Sequence, residues 1–103
     1  MALNENALTR FNEFSLMKNY PNPFNPKTNI QFTVPEQSFV KLFIYDINGR
    51  IVHKIIDSDL KSGYYSVVWD GTNELGLKVG SGIYFYRLEA KNFTSSQKMI
   101  FIK

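Results

Sequence analysis

Side chains able to hold a ligand are concentrated in one stretch of this chain, from Trp69 to Gly76. Asp70, Asn73 and Glu74 offer hard oxygens of the kind calcium takes, but the ion needs about six to eight of them, and the twelve-residue spacing of an EF-hand loop is absent. The competing reading is a tight turn: Asp70 accepts main-chain N–H bonds from Thr72 or Asn73, and Gly71 relieves the bend. The turn is the reading adopted, so no metal and no cofactor are expected, with Asp70, Asn73 and Glu74 as the calcium candidate. His53 is the single histidine and has no nucleophile pattern around it, so it reads as a solvated strand residue. With no second histidine and no cysteine there is no zinc site, and no glycine-rich phosphate loop follows a strand. Asn92-Phe93-Thr94 matches the N-glycosylation acceptor, a pattern too short to carry weight. Tyr84 and Tyr86 would suit a stacking platform, yet aromatics at strand spacing are more often core pairs. The chemistry points away from an enzyme.

Composition excludes further classes. The 103 residues make one small domain, and 44% hydrophobic with 16% aromatic content is enough to build a core. The net charge is +3, but the lysines and arginines are scattered from Arg10 to Lys103 instead of forming the dense stripe that phosphate binding requires, so no nucleic-acid partner is expected. No apolar run approaches the roughly 18 residues of a transmembrane segment. Residues 1–14 lack the basic and apolar regions of a secretory signal peptide, so export would require a longer precursor ahead of this domain.

The elements that position these residues follow from period-two alternation. Residues 1–18 show none and read as a linker or a weak helical turn. Pro21, Pro23 and Pro26 then fix φ and push their preceding residues out of the α region, giving a stiff extended lead-in with Phe24 at the core edge. Ile30, Phe32 and Val34 mark a first strand stopped by Pro35, and Val40, Leu42 and Ile44 a second that turns at Asp46-Ile47-Asn48-Gly49. From Arg50 to Ile56 the pattern is broken, because Val52 and Ile55 both suit the core at a spacing of three, which a bulge near His53 would reconcile. Tyr65, Val67 and Trp69 form another strand, and residues 72–82 form a loop rich in glycine. Tyr84, Tyr86, Leu88 and Ala90 follow as a strand, residues 92–97 as a polar connection, and residues 98–103 as a terminal strand. Its core pair is Met99 and Phe101, or Ile100 and Ile102. About seven short strands with no helical periodicity predict an all-β, immunoglobulin-like antiparallel sandwich over residues 19–103, with Leu42, Ile44, Trp69, Tyr84 and Tyr86 buried.

Several segments in order resemble a known family. They are Asn19-Tyr20-Pro21-Asn22-Pro23-Phe24-Asn25-Pro26 with Thr28, Ile30 and Phe32, then Ile44 to Arg50 including Gly49, then Gly63. Next come Trp69-Asp70-Gly71-Thr72-Asn73, Gly76, and Ser81 to Leu88 with Gly82 and Tyr84. Lys98-Met99 with the apolar tail Ile100-Phe101-Ile102 and Lys103 closes the pattern. From about Phe14 to Lys103 the chain is similar to the type A C-terminal sorting domain of the type IX secretion system of Bacteroidetes-related bacteria. The Trp-Asp-Gly and Ser-Gly-Ile-Tyr segments are similar also to the immunoglobulin-like domain of the flagellar hook-capping protein. The proline-rich lead-in and the position of the closing motif at the chain's end favour the sorting domain.

The resemblance implies a non-catalytic tail recognised by an outer-membrane translocon. A larger cargo fused ahead of it is carried through the periplasm to the outside or the cell surface, and a sortase-like protease then removes the domain. Translocon recognition is expected at Lys98 to Lys103, where a strand edge at a terminus could be read by strand addition. The linker would be open to the protease. The rival class is a binding or architectural module, hook-cap-like or contacting glycan or protein, that stays attached.

Overall fold

The structure, a computed structural model, describes residues 12–103. It has seven strands and, among the described residues, no helix: β1 Ser15–Leu16, β2 Thr28–Val34, β3 Ser38–Tyr45, β4 Ile51–Leu60, β5 Gly63–Trp69, β6 Gly82–Ala90 and β7 Phe93–Phe101. They form two antiparallel sheets, one of order β1-β2-β5 and one of order β4-β3-β6-β7. This is the all-β sandwich that the alternation predicts.

The core lies between the sheets. Ile30, Phe32 and Val34 from one sheet and Val40, Leu42, Ile44, Tyr86, Leu88 and Met99 from the other are sealed from solvent. Leu42, Ile44, Trp69, Tyr84 and Tyr86 are all buried as expected. In β7 the core pair is Met99 and Phe101, leaving Ile100 and Ile102 outside. Tyr86 is the deepest polar group, and its hydroxyl donates to the Met17 carbonyl at 2.7 Å, which answers the cost of burying it.

The β3–β4 hairpin turns at Asp46, where Gly49 N–H donates to the Asp46 carbonyl at 3.0 Å and Gly49 takes φ +82°. Beyond the turn the register slips twice. Leu42 pairs with Ile56 but Phe43 with Lys54, and Ile44 pairs with His53 but Tyr45 with Ile51. The skipped residues are Ile55 and Val52, the pair whose spacing a flat strand could not satisfy. One bulge on each side of His53 turns both against the core.

Three segments depart from the sequence reading. Ser15 and Leu16, assigned there to the linker, pair with Thr33 and Phe32, and Phe14 stacks on Phe93 at 5.4 Å. Residues 1–11 of the linker reading lie outside the described residues. Residues 93–97, read as a polar connection, continue β7, because the turn tightens onto Lys91 at φ +50° and Ala90 pairs directly with Phe93. Finally, β4 runs on to Leu60, past the end of its apolar pattern.

Candidate functional site

Apart from Gly63, which opens β5 at the far end beside Val34, the segments that carry the resemblance converge on one end of the sandwich. Asn22, Pro23 and Phe24 lie along the outer edge of β7. Phe24 N–H donates to the Ile100 carbonyl and Ile102 N–H donates to the Phe24 carbonyl, both at 3.0 Å. Asn22 Oδ1 accepts from Ile100 N–H at 2.9 Å, and its Nδ2 reaches the Lys98 carbonyl at 3.4 Å. The Phe24 ring stacks on Phe101 with centroids 4.9 Å apart and tilts against Trp69 at 5.6 Å. Asn25 and Pro26 continue exposed along the surface. The lead-in is thus a clip that pairs parallel to the last strand.

The clip corrects the expected edge. The Lys98 carbonyl, both main-chain groups of Ile100 and the Ile102 N–H already have partners in Asn22 and Phe24, so the end of β7 around Ile100 is closed to an added strand. What it offers outward is side chains: Lys98, Ile100, Ile102 and Lys103 are exposed, while Met99 and Phe101 are core. Lys103 is held by its N–H on Ser81 Oγ at 2.8 Å.

Trp69 closes the same end from inside. Its ring meets Tyr84 edge-on at 5.4 Å and its Nε1 donates to the Thr72 carbonyl at 2.9 Å. Gly71 takes φ +76°, and a Cβ there would stand 2.7 Å from Phe101 Cζ, so the position has neither the conformation nor the room for a side chain. Gly82 takes φ +155° where β6 begins. Tyr84 donates its hydroxyl to the Gly80 carbonyl at 2.7 Å, and burial pushes its phenol pKa up.

The loop oxygens do not converge. Asp70 Oδ1 accepts from the Thr72 hydroxyl at 2.6 Å, a side-chain bond in place of the main-chain bond expected, and that bond lowers the Asp70 pKa. Asn73 Oδ1 accepts from Leu75 and Leu77 N–H, and Glu74 Oε2 from Lys54 N–H at 2.7 Å. No two of the three side chains share a partner. His53 is half-buried where a solvated surface residue was expected, with Nδ1 2.8 Å from the Thr72 carbonyl and Nε2 3.6 Å from Glu74. It ties the loop back onto β4, and no alternation in the sequence marks that role.

A groove of about 270 Å³ opens on the outer face of the four-stranded sheet between Tyr45, Phe85 and Arg87. Arg87 lies over the Tyr45 ring at 5.0 Å and pairs with Glu89 at 2.9 Å, so its charge is already matched.

Comparison with known proteins identifies the domain type. Residues 23–93 match the FlgD Ig-like domain family. Among solved structures, dimeric latent PorU from Porphyromonas gingivalis superposes with a TM-score of 0.68 at 23% identity, over 84% of this chain and 9% of that one. PorZ, titled an essential bacterial surface component of the type-IX secretion system of Porphyromonas gingivalis, superposes at 0.57 and 19% identity, over 92% of this chain and 12% of that one. FLGD from P. aeruginosa superposes at 0.55 and 21% identity, over 72% of this chain and 58% of that one. No curated protein matches the chain significantly. The match spans the strands from the proline-rich clip through the Trp69 turn to β6, and on it the chain belongs to the FlgD Ig-like domain family.

Proposed function

We propose that this domain is a type IX sorting domain: a non-catalytic tail that carries a cargo fused ahead of it through the outer-membrane translocon. A sortase-like protease removes it at the cell surface. The observation that supports the reading is the clip. The two segments most distinctive of the sorting family, Asn22 to Pro26 and Lys98 to Lys103, meet on one edge and build one surface. The fold-level likeness to PorU and to PorZ, a surface component of the type-IX secretion system, in each of which such a sandwich forms about a tenth of the chain, is consistent with a module attached to larger proteins. Because the clip occupies the edge, recognition at Lys98 to Lys103 is by side chains, Lys98, Ile100, Ile102 and Lys103, and not by strand addition.

The family match itself favours a second reading, an architectural immunoglobulin-like module of the FlgD kind. The two separate in one experiment. The domain is placed behind a signal peptide and a reporter in a type IX-competent host. Sorting requires the reporter in the medium or on the surface, and retention in the periplasm refutes it. Changing Lys98 and Lys103 to Gln should lower release while the melting temperature stays put, since exposed polar substitutions alter stability by no more than about 0.5 kcal/mol.

A further inference from the structure

The two sheets are unequal, three strands against four, and the mismatch falls at one side. At the other side β1 sits on β7, where Gln97 Nε2 reaches the Leu16 carbonyl at 3.5 Å and Phe14 stacks on Phe93. From that seam across, β4 is the fourth strand over a sheet of three, so among the described residues it overhangs the smaller sheet. Burial follows the count. Along β3 the inward residues Val40, Leu42 and Ile44 are sealed, whereas on β4 Ile55, Ile56 and Leu60 are only half-buried, and Ser58, the partner of Val40, is exposed. On the smaller sheet, Tyr65 and Val67 of its edge strand β5 are half-buried too.

Among the described residues, no strand pairs with the Ser66–Val68 part of the β5 edge beside this gap. In β2, Asn29 exchanges main-chain bonds with Tyr20, and Gln31 accepts from Met17 N–H, so Ile30 and Phe32 are the residues that bond β5, at Val67 and Tyr65. Alternation then directs the N–H and C=O of Ser66 and Val68 away from the sheet. The other edges are blunted. β1 is two residues long, the end of β7 is clipped, and β4 carries exposed Asp57 and Asp59 and is bonded at Val52 and Lys54 by Glu74. All seven residues of β5 are uncharged.

We propose that this gap takes in one extended segment of another protein as a fourth strand beside β5. The segment would bond Ser66 and Val68 through its main chain and lay alternate small apolar side chains on Val67, Ile56 and Leu60. The overhang decides the kind of occupant. A second folded copy pairing antiparallel through β5 would drive its own β4 into the first copy's larger sheet, whereas a single strand with no sheet behind it meets no such obstacle. The inference stands apart from the export reading.

The test uses the 103-residue chain, isotopically labelled, and a nine-residue peptide of alternating threonine and valine with a lysine at each end. Peptide in about tenfold excess over its Kd should shift the Ser66 and Val68 amide resonances and slow their hydrogen exchange about tenfold. Ser66→Pro removes an outward N–H, which an edge strand tolerates, and should abolish the effect with the fold intact. Ser58→Arg fills the gap from β4 without touching β5 and should abolish it too, which keeps the test open if the proline variant does not fold. Absence of binding up to millimolar peptide, shifts confined to Thr94 and Ser96 on β7, or unchanged binding by either folded variant would overturn the proposal.

Discussion

Gly71 faces the ring of Phe101 so closely that a methyl group at Gly71 would overlap it, and this contact locks the turn after β5 onto the last strand. Gly71→Ala therefore combines a left-handed backbone with overpacking. It should cost about 2–4 kcal/mol, against about 1–2 kcal/mol for Gly49→Ala or Gly76→Ala, which share the positive φ but have open space around them. Urea denaturation of the three variants measures the difference, and equal losses would mean that the ring yields.

Trp69 is the largest side chain sealed in the core, packed on Phe24, Tyr84 and Phe101. Trp69→Ala should lose about 3–5 kcal/mol, enough to unfold much of a domain this small. The single tryptophan also gives a probe: native emission should be blue-shifted and move to that of free indole in denaturant.

The clip should be separable from the core. Asn22→Ala removes the acceptor from Ile100 N–H and should cost about 0.5–1.5 kcal/mol, with faster hydrogen exchange at Ile100. Asn22→Asp keeps that acceptor and should restore most of the protection.

Alkaline pH should act through Tyr86. Burial pushes its pKa from 10 up to about 12, so folding favours the protonated phenol. That contribution is complete below pH 10 and is lost as the pH rises through 12. Tyr86→Phe loses the bond to Met17, about 1 kcal/mol at neutral pH, and the gap between the two proteins should narrow above pH 10.

What the sequence determined by itself is the part of this protein written in local periodicity. Alternating Ile30, Phe32 and Val34, then Val40, Leu42 and Ile44, then Tyr84, Tyr86 and Leu88 specify half-buried strands and their inward faces, since successive side chains must point to opposite sides of a sheet. The conflict between Val52 and Ile55 announces the bulges. Tertiary structure alone decided the rest. Residues 94–97, Thr-Ser-Ser-Gln, pass for a loop because all four are polar, and only pairing with β6 makes them a strand. His53 anchors a loop through a carbonyl supplied by Thr72, a partner that its own neighbours do not reveal. The clip joins Asn22 and Phe24 to Ile100 and Ile102 from the opposite end of the chain, and among the described residues Ser66 and Val68 are left without a neighbouring strand because one sheet has a strand fewer than the other. A local pattern records which way a side chain points, whereas edge pairing depends on which distant segment arrives beside it.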